Sequence, residues 1–134
     1  MKRIAIFASG SGTNAENIIR HFKANGKAIV EVVLCNNPKA LVIERAKALH
    51  TPSMVFTKED FYESPKIENL LVRLKIDLIV LAGFLWLVPE SLIKKFPGKF
   101  INDLSDWPAI FFIRDLKSKI PGTGDFERKG MANG

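Results

Sequence analysis

A single cysteine, Cys35, stands in the whole chain, so it offers no disulfide within itself and nothing calls for an oxidising compartment. Histidine is nearly as scarce. His21 and His50 have no cysteine or acid at metal-ligand spacing, so surface or helix-end positions are expected for them and no metal is expected. Long apolar runs are missing too. The longest, residues 78–88, contains Gly83 and stops at Pro89, well short of the roughly 20 residues that cross a bilayer. Behind the basic start Met1-Lys2-Arg3 the apolar residues end at Ala8, too few for a signal-peptide core. No membrane association is expected, and a cytoplasmic location is the default. Internal repeats and low-complexity tracts are absent.

What is present suits one ordinary globular domain. The 134 residues are 47% hydrophobic and 25% charged, long enough and apolar enough to bury a core. The net charge is +6, but the bases, among them Lys23, Lys27, Lys39, Arg45, Lys47, Arg73 and Lys75, are scattered. No basic stripe is interleaved with aromatics, so no nucleic-acid partner is expected. A small phosphorylated ligand is the better use of a mild positive field.

Apolar runs alternate with amphipathic ones. Ile4-Ala5-Ile6-Phe7-Ala8 reads as a strand covered on both faces, and Ser9-Gly10-Ser11-Gly12 follows it directly. Thr13 and Glu16 have the spacing of a capping box, and Ile18, Ile19 and Phe22 give the next helix an apolar face ending near Gly26. Residues 29–35 predict a second strand, and residues 40–49 a helix with Leu41, Ile43, Ala46 and Leu49 inward. A short third strand is predicted at Met54-Val55-Phe56. A helix opens at Ser64-Pro65 with Ile67, Leu70, Leu71 and Leu74 on one face. Residues 78–82 carry no polar side chain and predict a central fourth strand; a short helix at 90–96 and a fifth strand at 99–102 follow.

This alternation predicts an α/β fold, a doubly wound and mostly parallel sheet of Rossmann-like type. Ligands of such sheets sit beyond the carboxyl ends of the strands. Residues 9–14, Asn36-Asn37, residues 83–88 and Asn102 all fall at those ends.

Gly10-Ser11-Gly12-Thr13-Asn14-Ala15 satisfies the G-x-G-x-x-G/A pattern between a strand and a helix. A dinucleotide site normally adds an acidic residue at the end of the second strand. Asn36-Asn37 stand there instead, which disfavours that cofactor. Anion binding survives: glycines let the backbone approach a ligand, and a helix start offers free N–H groups and a positive dipole end. A tight strand-to-helix turn with no ligand remains the alternative.

Two motifs carry a resemblance. Ser9-Gly10-Ser11-Gly12-Thr13-Asn14, after the first strand, and Leu81-Ala82-Gly83-Phe84-Leu85-Trp86-Leu87-Val88, at the end of the fourth, occur in the order found in the glycinamide ribonucleotide formyltransferase family. Glu44-Arg45-Ala46 and the short strand ending at Asn102 fit the same template. Residues 1–102 therefore resemble that family, whose enzymes move a formyl group from 10-formyltetrahydrofolate, a co-substrate, to the amine of glycinamide ribonucleotide in purine synthesis. The resemblance implies that Gly12, Thr13 and Asn14 hold the substrate phosphate. It also implies that Leu85, Trp86, Leu87 and Val88 line the folate slot with Lys58 near it, and that Asn102 is catalytic, polarising the formyl carbonyl. It implies small-molecule substrates and a monomer or homodimer.

Residues 103–134 depart from the template. The family continues Asn-Ile-His-Pro, with the histidine in proton transfer, whereas this chain continues Asn102-Asp103-Leu104-Ser105 and has no histidine after His50. Asp103 and Asp106 are the nearby acids, and an exposed aspartate with a pKa of about 4 is a poor proton carrier near neutrality. The segment reads as a divergent or truncated tail, and the activity of this chain is expected to suffer. A non-catalytic phosphate-binding or interaction module, or another formyl-folate enzyme, is the alternative. Cys35 is expected to be a small core residue, and Trp86 either a pocket wall or a packing residue.

Overall fold

The computed structural model describes residues 1–101. Within them five strands form one parallel sheet: β1 (Lys2–Ala8), β2 (Ala28–Cys35), β3 (Ser53–Val55), β4 (Leu78–Leu81) and β5 (Phe100–Ile101), in the order β3-β2-β1-β4-β5. The expected doubly wound α/β architecture is what the chain adopts. β1, not β4, is the middle strand; β4 is interior, paired with β1 and β5. β4 throughout and β1 from Ile4 onward are continuous apolar runs because both lie between two covered faces.

Side-chain alternation along β1 divides the core. Ile4, Ile6 and Ala8 pack with helix α1 (Thr13–Asn25) and helix α2 (Leu41–Ala48) on one face. Ala5 and Phe7 pack on the other with α3 (Lys66–Arg73), α4 (Glu90–Lys95) and a single π-helical turn at Glu59–Glu63. In β2 the register against β1 slips between Ile4 and Ala5, which pair with Val30 and Val32 and leave Glu31 as a bulge. The extra residue reverses the alternation: Ala28 and Val30, then Val33 and Cys35, face α1 and α2. Cys35 is a buried core thiol, as expected.

Several local expectations give way. Thr13 does not cap α1. Gly12 holds the N-cap position in the left-handed region, no side-chain cap bond forms, and Glu16 turns instead to Arg20 and Arg45. In α2 the buried positions are Val42 and Ala46, while Leu41 is exposed, because the helix packs its other edge against the β1–α1 loop. Helix α3 begins one residue later than expected, with Pro65 as N-cap and the Ser64 hydroxyl accepting from the Lys66 N–H. Its core contacts come chiefly from Ile67 and Leu71. His50 lies just past α2 at φ 57°, where its N–H and that of Thr51 satisfy the Lys47 and Ala46 carbonyls. That is the helix-end role expected of it.

Candidate functional site

The strand order reverses beside β1. The chain runs outward through β2 and β3, then returns to add β4 and β5 on the opposite side. The crevice beyond the carboxyl ends of β1 and β4 is therefore the topological switch point, where α/β sheets of this kind receive ligands. Two loops meet there. The Ser9 hydroxyl, buried at the end of β1, accepts from the Leu85 N–H at 3.0 Å. One side chain thus ties the β1–α1 loop to the β4–α4 loop. At the same rim, Ile101 ends β5 beside Val80 of β4. Asn102, the expected catalytic residue, follows it and lies outside the described residues, as does all of 103–134.

The β1–α1 loop forms a donor-rich rim. Glu16 N–H is the first α1 amide bonded back, to the Gly12 carbonyl at 2.8 Å. Among the described residues no acceptor meets the N–H groups of Ser11, Gly12, Thr13, Asn14 or Ala15. Helix starts leave such groups free, and the dipole adds positive character. Thr13 and Asn14 are exposed at this rim, while Gly12 is buried. Gly12 also has a packing reason to be glycine: at φ 80°, a Cβ there would stand 2.4–2.6 Å from Val42. Gly10 has no such neighbour within 4 Å. Steric need thus explains Gly12, whereas open space lies before Gly10.

The β4–α4 loop forms an aromatic rim. Phe84 stands 5.2 Å from Phe7 and 5.5 Å from Phe61 between ring centroids, and Phe56 completes the group at 5.8 Å from Phe7. Trp86 packs on Phe56 at 5.7 Å and on Tyr62 at 6.2 Å and stays partly exposed, so the packing role is observed, with one part of the ring left open to solvent. Lys58 places its ammonium 5.7 Å from the Trp86 ring centroid, a cation–π distance. Two residues singled out in the sequence, Lys58 and Trp86, therefore meet.

The rest of the loop divides. Leu85 and Leu87 are exposed at 75% and 48%. Val88 is buried in the core, so only its backbone remains available. Of the loop's backbone groups, the Leu85 N–H is engaged by Ser9, and the Leu87 carbonyl accepts from the Tyr62 hydroxyl at 2.6 Å.

Sequence reasoning missed Ser9, Tyr62 and the function of Arg45. Ser9 had a signal, a hydroxyl closing an otherwise apolar strand. The other two act across long separations. Arg45 donates from Nε to the Ser11 carbonyl at 2.7 Å and forms an ion pair with Glu16. Hydrogen bonds from Arg20, then from Arg45, hold the Glu16 carboxyl below the usual carboxylate range. No group of three or more metal-ligating side chains occurs among the described residues, and none of their helices is long and apolar enough to cross a membrane.

Residues 2–103 match the family model described as formyl transferase. The chain is 39% identical over 108 residues to a phosphoribosylglycinamide formyltransferase of Bacillus subtilis, covering 76% of this chain and 55% of that one. It is 33% identical over 107 residues to the enzyme of the same name from Haemophilus influenzae, covering 76% and 50%. The crystal structure of phosphoribosylglycinamide formyltransferase from Bacillus halodurans superposes with a TM-score of 0.64 at 38% identity, over 75% of this chain and 55% of that one. The chain thus spans about half the length of these relatives.

Proposed function

The chain belongs to the formyl transferase family, and from that premise we propose that it is built for phosphoribosylglycinamide formyl transfer. In this reading the free amides at Gly12, Thr13 and Asn14 receive the phosphate of glycinamide ribonucleotide. The apolar rim of Leu85, Trp86 and Leu87, with the Val88 backbone and Lys58, receives the pteridine of 10-formyltetrahydrofolate. The substrate amine attacks the formyl carbonyl while the Asn102 carboxamide supports the oxyanion, a contribution of a few kcal/mol where donors are well placed, on the order of 3. The tetrahedral centre then collapses with cleavage of its bond to the folate N10, which takes up the proton the amine loses and leaves as tetrahydrofolate. The protein acts on small molecules in the cytoplasm, as monomer or homodimer, without a metal.

The observation that carries this reading is the Ser9–Leu85 hydrogen bond. It holds a rim of free amides and an apolar, partly exposed rim side by side at the switch point, an arrangement that supports transfer between a phosphorylated amine and a flat, ring-bearing donor. Titration of the chain with glycinamide ribonucleotide tests it. Asn14→Trp should weaken binding at least tenfold, and an unchanged affinity removes the assignment.

A second reading, a phosphate-binding module without catalysis, is favoured by one observation: Leu104 stands at the histidine position of the family's Asn-Ile-His-Pro motif. The enzyme reading predicts slow loss of formyl donor and the module none, so turnover alone separates them poorly. A folate analogue separates them, because only the enzyme reading has it raise the thermal midpoint.

A further inference from the structure

We infer that Arg45 is a positioning residue for the proposed phosphate loop: it fixes the direction of that loop's amides without itself serving as the phosphate ligand. The inference rests on the reading above and adds a residue that the reading does not use.

Two successive carbonyls of the loop are fastened to α2. The Val42 N–H, a first-turn amide with no acceptor inside its own helix, donates to the Gly10 carbonyl at 3.1 Å. One turn further on, Arg45 donates from Nε to the Ser11 carbonyl at 2.7 Å. No peptide bond among the described residues is cis, and in a planar trans peptide the C=O and the next N–H point in opposite directions. Fastening the Gly10 carbonyl to α2 therefore turns the Ser11 N–H away from α2, and fastening the Ser11 carbonyl does the same for the Gly12 N–H. Neither amide has an acceptor among the described residues. They extend the donor set that begins at the start of α1.

The second arm of Arg45 keeps the first in place. Its Nη1 forms the ion pair with Glu16, one turn into α1, so the planar guanidinium is held at two points and its fork has a fixed direction. A lysine ammonium lacks that geometry. Glu16 is shared between Arg45 and Arg20, so the local charge stays positive, and salt is what separates the effect exerted through the loop from one exerted through charge.

Amide NMR of the full chain with inorganic phosphate as probe tests this. In wild type the Ser11 and Gly12 resonances should shift together on titration. Arg45→Met should weaken phosphate binding about tenfold, the size expected for one charge-assisted hydrogen bond, while sheet resonances stay in place. Glu16→Gln, whose amide oxygen can still accept from the second arm and so hold the guanidinium on the Ser11 carbonyl, should stay within about twofold. Equal affinity in Arg45→Met, an equal loss in Glu16→Gln, or a loss that vanishes in 1 M salt, where the screening length is about 3 Å, overturns the inference. If wild-type amides ignore phosphate, the functional reading fails. Backbone order parameters at Ser11 and Gly12 without phosphate then decide on Arg45 alone: lower values in Arg45→Met support the pin, and unchanged values remove it.

Discussion

On one side of the β1–β4 crevice, the loop through Gly10 and Ser11 is fastened by two carbonyl hydrogen bonds and the Arg45–Glu16 ion pair. On the other, the loop through Phe84 and Trp86 is fastened chiefly by rings, with two hydroxyls closing on its backbone: Ser9 accepts from the Leu85 N–H and Tyr62 donates to the Leu87 carbonyl. The first arrangement occupies carbonyls and leaves amides free, so the rim presents donors. The second occupies apolar area and leaves Leu85 and Leu87 outside, so the rim presents hydrocarbon. The restraint chosen for each loop also fixes what that loop can offer a ligand.

The comparison is most sharply tested at glycine. Gly12→Ala should cost about 2–6 kcal/mol, combining about 1–3 for a left-handed backbone with about 1–3 for overpacking against Val42. The clash includes the Val42 Cα at 2.6 Å, which no side-chain rotation relieves. Gly10→Ala should change stability by no more than about 0.5 kcal/mol, because nothing lies within 4 Å of its added Cβ. Urea unfolding of the full chain measures both, and similar losses would mean that the loop is not pressed against α2 at one point. Across the crevice, Phe84→Ala should cost about 3 kcal/mol, the lower end for a phenylalanine cavity, since Phe84 keeps slight exposure at the edge of its cluster. It should lower folate-analogue affinity and leave phosphate affinity intact. A parallel loss of both would show that the two rims are not separately held.

The sheet was legible because strands buried on both faces are written as unbroken apolar runs, and 4–8 and 78–81 are such runs. The two loops were legible because each follows one of those runs directly. Capping was not. Thr13 and Glu16 have the spacing of a capping box and do not form one, since Gly12 takes the N-cap position and two arginines draw Glu16 away. Thr57 and Asp60 do form reciprocal bonds, at 3.0 and 3.1 Å, at the start of the π-helical turn. The same local pattern had two outcomes because tertiary partners decide which acceptor a carboxylate meets. Arg45 reaches Ser11 across 34 positions and Tyr62 reaches Leu87 across 25, and no local period encodes such pairs.

A smaller effect is expected from Tyr62→Phe. The lost bond to the Leu87 carbonyl is short, but Tyr62 is 45% exposed, so water replaces part of it and the cost should be about 1 kcal/mol. The ring stays, so the aromatic rim keeps its packing while Leu87 gains freedom. Folate-analogue affinity should fall by a few-fold, about fivefold for 1 kcal/mol, with inorganic phosphate binding unmoved. A drop in phosphate binding would couple the rims through Ser9.

The smallest effect separates the rims by the origin of one carboxylate shift on each. Glu16 titrates below its ordinary 4.5 because of hydrogen bonds from Arg20 and then Arg45. Asp60 titrates below its ordinary 3.8 chiefly because it accepts the Thr57 backbone N–H. A carboxylate depressed in the folded state binds protons more readily when unfolded. Each therefore contributes stability that is complete above its ordinary value and is lost as pH falls through the depressed one. Both contributions should disappear as the solution is acidified below about pH 4. Salt tells them apart: the Glu16 contribution is an ion pair near the surface and should shrink in high salt, whereas a bond to a backbone N–H is far less screened. Urea midpoints of Glu16→Gln and Asp60→Asn against wild type, across pH 2.5 to 6 and at two salt concentrations, give the result. If added salt erased the Asp60 difference as fully as the Glu16 one, the aromatic rim would also depend on charge, and the division between the loops would be one of degree.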